Sequence, residues 1–296
     1  MTNLELGGAM TALITPFTTD GDLDLDALRA LVRRQIDGGI DGLVPCGTTG
    51  EAATMTADEQ IQVIETVVDE AAGRVPIIAG TGSNDTRATI AHTRRVAQIE
   101  GVDAALVVTP YYNKPGQAEL IRHFQEVADQ GGLPVVLYNV PSRTGVSLTA
   151  ATVAELAEHD QIIAIKEASA DLALDSAIEA STPDDFALLS GDDFTTFPLV
   201  AIGGRGCISV VSNLWPGEMS AMVAAAIDGD LEEARRIHRG VQTLARALFE
   251  RANPIPVKAA AHLLGWCEPT LRGPLYAADD ALLASLRKTL DACGLT

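Results

Sequence analysis

Short apolar runs alternate with longer stretches of helical periodicity along most of the chain. The runs are Met10 to Ile14, Gly42 to Val44, Val75 to Ala79, Ala104 to Val108, Val135 to Tyr138, Ile162 to Ile165, Ala187 to Leu189 and Cys207 to Val211. Each is short and bounded by turn residues, as expected of strands buried on both faces. Between them, apolar residues recur near every 3.6 positions, which predicts helices over Leu25 to Gly38, Thr56 to Ala72, Thr86 to Glu100, Ala118 to Gln130 and Thr149 to Glu158. Val44, Ile78, Val107, Leu137 and Ile165 are separated by 34, 29, 30 and 28 residues, and the steps to Leu188 and Ile208 are 23 and 20. Strand–helix alternation argues parallel βα units. Eight units within about 225 residues match an α/β (β/α)8 TIM barrel. A doubly wound open sheet is the alternative, disfavoured because no Gly-x-Gly-x-x-Gly follows the first strand.

From about Ile227 onward only helical periodicity remains, over Leu231 to Arg251, Ile255 to Leu264 and Asp279 to Cys293, with Asn253-Pro254-Ile255-Pro256 breaking the first from the second. The expected division is a catalytic barrel, 1–226, followed by a C-terminal helical domain, 227–296.

Composition adds exclusions. The 296 residues are 47% hydrophobic, enough for a large core. No apolar run reaches the roughly 18 residues of a membrane span. The N-terminal stretch shows no basic segment leading into an apolar one, so a cytoplasmic protein is expected. Forty acids against 21 bases give a net charge of −19, which disfavours nucleic acid; an anionic substrate must therefore meet a local cation. Cys46, Cys207, Cys267 and Cys293 are scattered, without metal-ligand spacing.

In such a barrel the active site lies at the C-terminal ends of the strands. The residues collected there are Gly47-Thr48-Thr49-Gly50-Glu51, Gly80-Thr81-Gly82-Ser83-Asn84, Thr109-Pro110-Tyr111-Tyr112-Asn113, Tyr138 to Gly145, Lys166-Glu167 and Ser190-Gly191-Asp192-Asp193. Lys166 ends an isoleucine-rich run, and shelter from water favours a neutral, nucleophilic amine. Taken alone, such a lysine reads first as one that snorkels to water or pairs with an acid, and the rest of the chain changes that balance. Asp192 and Asp193 read equally as helix N-caps, and the histidines fall in or beside helices, as surface or packing residues. Three of the four tyrosines lie on this rim, where hydroxyls can pass protons without histidine. Thr48-Thr49 between glycines and the planar fork of Arg143 offer two carboxylate sites. An amine, two carboxylate sites and a hydroxyl relay suit imine chemistry on an oxo acid, with no metal or other cofactor required.

These blocks, together with Asn253-Pro254-Ile255-Pro256-Val257-Lys258, resemble the dihydrodipicolinate synthase / N-acetylneuraminate lyase family of class I aldolases, from end to end and in order. The resemblance implies that Lys166 forms a Schiff base with pyruvate and that Tyr138 is its general acid/base. It implies a relay of Thr48 and Tyr112, the latter reaching in from a neighbouring subunit. Thr49 and the backbone of Ile208 would hold pyruvate, and Arg143 the carboxylate of L-aspartate 4-semialdehyde. A homotetramer, built as a dimer of dimers, and a place in diaminopimelate and lysine biosynthesis are implied with them. Arg143 favours a short carboxylated aldehyde; an N-acetylneuraminate lyase, a 2-keto-3-deoxy sugar-acid aldolase or a non-catalytic pyruvate-binding barrel are the alternatives. Lysine-inhibited members carry an interface pocket that Tyr111, Asn84 and Ala53 match. Ala57, Gln60 and Ala88 stand where its histidines and acid would be, so weak or absent inhibition by L-lysine is expected.

Overall fold

The computed structural model describes residues 4–295. Eight parallel strands, β1 (Gly8–Ala12), β2 (Gly42–Val44), β3 (Ile78–Gly80), β4 (Ala104–Val108), β5 (Val135–Asn139), β6 (Ile162–Glu167), β7 (Ala187–Ser190) and β8 (Gly206–Ser209), form one sheet in the order β2-β1-β8-β7-β6-β5-β4-β3. The sheet closes on itself through a parallel bridge between Leu43 and Ile77 and through Gly80 N–H donating to the Pro45 carbonyl at 2.9 Å. The result is the (β/α)8 barrel expected from the run spacing.

The outer ring comprises α1 (Leu25–Asp37), α2 (Ala57–Ala71), α3 (Thr86–Val96), α4 (Gln117–Gly131), the single turn α5 (Pro141–Thr144), α6 (Ala150–Ala157), α7 (Leu172–Glu179), α8 (Thr196–Ala201) and α9 (Pro216–Ile227). Capping follows the sequence. Asp24, Asp85 and Asp171 accept N–H bonds at the starts of α1, α3 and α7, and Thr56 with Glu59 forms a reciprocal capping box on α2. Helices α7 and α8 are short, which accounts for the 23- and 20-residue steps. The helix α9 was not resolved in the apolar pattern, because its alanines and methionines leave little contrast between faces; it buries Met219, Met222 and Val223.

Strand alternation divides the core into two layers. Met10, Val44, Ile78, Leu106, Val136, Ala164, Leu189 and Ile208 fill the barrel interior, while Leu43, Val107, Leu137, Ile165 and Leu188 face the helices. Three strand ends differ from expectation for local reasons. The strand β1 starts earlier and stops at Ala12, since Ile14 N–H already bonds the Asn213 side chain. The third strand takes only Ile78 and Ala79 from its run and adds Gly80. After Ser209 the chain turns into a 3-10 segment over Val211–Asn213, so β8 ends two residues before the apolar run does.

The chain then runs through α10 (Leu231–Leu248), α11 (Ile255–Leu263) and α12 (Asp280–Ala292). Leu244, Val257 and Leu286 of these helices join the outer apolar layer of the barrel.

Candidate active site

Alternation sets which residues can meet inside the barrel. Two positions beyond Val136 and Ala164 on the same face come Tyr138 and Lys166. They are paired in register across β5 and β6, and Lys166 Nζ lies 4.5 Å from the Tyr138 ring centroid. Both are buried, and no hydrogen bond or ion pair ties the Lys166 amine among the described residues. Gly191, at the end of β7, makes room for it: a Cβ there would come within 2.9 Å of Lys166 Cε and 3.0 Å of its Cγ. The amine is thus packed along its stem and unspent at its tip.

The outward residues of the same strand ends are fully used. Asn139 donates to Glu167 Oε2 at 2.7 Å and accepts from Leu148 N–H at 3.0 Å, and Ser169 N–H donates to Glu167 Oε1 at 2.6 Å. Burial raises the Glu167 carboxyl above its ordinary range, and these bonds oppose the shift. The pair fastens β5 to β6, and so holds Tyr138 beside Lys166.

The Thr48–Thr49 loop is bracketed by two non-glycine residues in the left-handed region, Cys46 at φ 56° and Glu51 at φ 55°. Such backbone persists only where its surroundings hold it. Here Thr15 Oγ1 donates to the Gly50 carbonyl at 2.7 Å, and Glu51 N–H to the Thr48 carbonyl at 3.1 Å. Glu51 itself is clamped by α11 and the segment after it: Lys258 Nζ donates to Oε1 at 2.6 Å and Arg272 N–H to Oε2 at 3.1 Å. The loop therefore presents Thr48, half-buried and with its hydroxyl unbonded, toward the barrel mouth.

Thr48, Tyr138, Arg143 and Asn253 line one cavity of about 600 Å³, a volume suited to a small ligand. Arg143, exposed on α5 at the entrance, donates through Nη2 to the Asn253 carbonyl at 3.2 Å. Thr49 is buried next to the wall, its Oγ1 accepting from Asn253 Nδ2 at 2.9 Å. Ile208 belongs to the inner layer, in register with Met10. Tyr112 stands apart: it is 87% exposed at φ 73° and outside this cavity. One chain thus brings Tyr138, Thr48 and Arg143 to one cavity, with Lys166 behind Tyr138 and Thr49 adjoining through Asn253, but not Tyr112.

Asp192 and Asp193 do not cap α8, whose N-cap is Thr195. Asp192 bonds Phe194 N–H, while fully buried Asp193 accepts from Ser209 Oγ, Val210 N–H and Val211 N–H, joining the β7 and β8 ends. Two participants escaped sequence reasoning. Asn253 bridges Thr49 and Arg143 from more than a hundred residues away; the sequence marked it as part of a block that carries the resemblance, but not as a residue of the site. His92, expected to be a packing residue, also lines the cavity, with both ring nitrogens buried and unpartnered.

Comparison with known proteins agrees with this geometry. The model of the dihydrodipicolinate synthetase family matches residues 5–293. The chain belongs to this family. Among family relatives, the 4-hydroxy-tetrahydrodipicolinate synthase of Pelobacter propionicus is 49% identical over 97% of this chain and 99% of its own. A chloride-inhibited dihydrodipicolinate synthase from Acinetobacter baumannii, solved with pyruvate, is 40% identical with a TM-score of 0.96, covering 98% of this chain and 99% of its own. A dihydrodipicolinate synthase from Cyanidioschyzon merolae, solved with lysine bound, is 42% identical with a TM-score of 0.94 over the same shares.

Proposed function

We propose that this chain condenses pyruvate with L-aspartate 4-semialdehyde to 4-hydroxy-tetrahydrodipicolinate, the activity of 4-hydroxy-tetrahydrodipicolinate synthase and a step toward diaminopimelate and lysine. The observation that carries this reading is the Lys166 amine, buried, unpaired and beside the Tyr138 ring at the mouth of the barrel. Lys166 attacks the keto carbon of pyruvate, and loss of water gives a protonated imine. The imine is an electron sink, so a methyl proton leaves and an enamine forms. The enamine carbon then attacks the aldehyde. The amino group of the condensed product closes onto the imine carbon and releases the Lys166 amine.

Proton movement in these steps falls to Tyr138, within reach of the imine nitrogen, with Thr48 as the next hydroxyl. Tyr112 of the partner subunit completes the relay; its exposure within one chain suits a residue that serves a neighbouring site. A homotetramer supplies that neighbour. Thr49 and the Ile208 backbone hold the pyruvate carboxylate, and Arg143, exposed at the entrance, takes the carboxylate of the aldehyde through its planar fork. Residues 227–296 act as a helical domain that fastens the mouth through Asn253 and Lys258. A cytoplasmic location fits, and among the described residues no helix is long and apolar enough to cross a membrane.

Borohydride reduction in the presence of pyruvate should fix the pyruvyl mass on Lys166, and a coupled assay should show turnover with pyruvate plus aspartate semialdehyde. A protein that binds pyruvate without a reducible adduct, or that turns over sialic acid or 2-keto-3-deoxy sugar acids instead, would overturn the assignment.

A further inference from the structure

We infer that Asn253 is a positioning residue that turns the Thr49 hydroxyl into a donor for the keto-acid carboxylate; this rests on the assignment of Thr49 to that carboxylate made above. A threonine hydroxyl has one proton to give and two lone pairs to receive. Asn253 Nδ2 donates to Thr49 Oγ1 at 2.9 Å, which occupies a lone pair and leaves the proton. Among the described residues no carbonyl or side chain accepts that proton. It is left free for a ligand's acceptor. A hydroxyl that already accepts an N–H bond is also the stronger donor, because bonds in series polarise one another.

The Asn253 amide is held in this role. Its own carbonyl accepts from Arg143, and the helix that follows is locked by the Lys258–Glu51 pair. Asn253 is 7% exposed, and its Oδ1 is buried without a partner. An orphaned buried acceptor needs a reason. The reason here is that facing Nδ2 to Thr49 leaves Oδ1 with no donor. One residue thereby sets the donor for the first substrate through its side chain and steadies Arg143, the receptor for the second, through its backbone.

The test measures the pyruvate concentration that gives half-maximal borohydride trapping on Lys166. Asn253→Asp keeps the shape but presents only acceptors, so the Thr49 proton turns toward the new carboxylate and is withdrawn from pyruvate. Half-saturation should rise about tenfold to a hundredfold. Asn253→Ala leaves the hydroxyl untied but its proton free, and the rise should be about threefold. In a Thr49→Val background both effects should shrink at least about threefold, because the hydroxyl they act through is gone. Charge repulsion or general loosening would give equal effects in both backgrounds, which would overturn the inference. So would an unmoved half-saturation in Asn253→Asp, which would mean the Thr49 proton already points at Oδ1. If Asn253→Asp does not fold, the Asn253→Ala cycle decides alone. Failure of the unsubstituted protein to form any adduct would instead strike the Schiff-base reading itself.

Discussion

Lys166 in β6 and Lys258 in α11 are both buried, 6% and 0% exposed, yet their surroundings treat them in opposite ways. Lys258 spends two of its three donors, one on Glu51 Oε1 at 2.6 Å and one on the Thr270 carbonyl at 2.7 Å, and its charge faces the Phe17 ring 4.1 Å away. Arg272 sits over the same ring at 4.4 Å and bonds Glu59 through both terminal nitrogens, at 3.0 and 2.6 Å. Burial pulls the Lys258 amine below its ordinary value, and Glu51 pulls it back up. Lys166 has no such company. Its stem is packed, its tip lies beside the Tyr138 ring, and among the described residues no hydrogen bond or ion pair holds the amine. A lysine that is tied to partners is a strut. One that is sheltered but unpartnered is free to react, the role proposed for Lys166.

The same substitution at both positions separates the two. Lys166→Met should lower turnover more than about a thousandfold and abolish the borohydride adduct. Its unfolding midpoint in urea should hold or rise, because an unpaired buried amine is removed with little change in volume. A large loss of stability would show that Lys166 also serves as a strut. Lys258→Met should do the reverse in kind, leaving the Glu51 carboxylate buried without its cation at a cost of about 3–5 kcal/mol in stability. Adding Glu51→Gln should recover much of that loss, since the charge left behind is what destabilises. Equal stability of Lys258→Met and the parent would break the comparison.

How far the sequence discloses this contrast depends on distance along the chain. The eight strands are legible because buried parallel strands read as continuous apolar runs, and Lys166 and Tyr138 are legible because alternation within a strand fixes their face. The struts are not. Lys258 lies in an ordinary helical pattern, and its partner Glu51 is 207 positions away; Asn253 is 204 from Thr49. Nothing local marks either as tied to the barrel mouth. The helix α9 and the one-turn α5 fail for another reason: the first lacks a polar face, and the second is too short for a period. Tyr112 was legible as one of three rim tyrosines, but only the resemblance tied it to a neighbouring site, because neither composition nor spacing shows which subunit an exposed side chain is proposed to serve.

Asp175 is an intermediate case, an acid with burial but little company. It is 1% exposed, and its Oδ1 has no partner. Burial first, then the carboxylates of Glu167, Asp171 and Asp192, raise it from its ordinary 3.8 to about 7. Because the folded-state value lies above the unfolded one, the folded chain holds a proton that the unfolded chain has released between those two pH values. Stability from this group is therefore lost as pH climbs through that window. Asp175→Asn does not titrate. Its stability relative to the parent should improve from about pH 5 to about pH 8, by on the order of a few kcal/mol at most. A difference between the two proteins that stays flat with pH would show that Asp175 is ionised throughout.

The smallest effect is an expected absence, and it extends the same distinction to the outer part of the cavity. A bound L-lysine would bring two ammonium groups and a carboxylate, each needing a free partner. Glu51 is the one carboxylate lining the cavity among the described residues, and Lys258 and Arg272 already occupy it. Gln60 donates to the Ala52 and Met55 carbonyls at 2.9 and 3.4 Å, which spends its amide nitrogen, and its side chain carries no charge to meet an ammonium. Ala57 and Ala88 offer only methyl groups. His92 is held toward its neutral form by burial and by Arg95. Among the described residues no uncommitted carboxylate lines this wall for either ammonium group, so L-lysine should leave the rate of the pyruvate and aspartate semialdehyde reaction unchanged up to millimolar concentrations. Ala88→Glu, which adds an uncommitted carboxylate to the same wall, should make the enzyme measurably sensitive. Half-inhibition of the parent at sub-millimolar lysine would mean that one of the tied groups lets go on binding, and that the line between strut and reagent is softer than the hydrogen bonds imply.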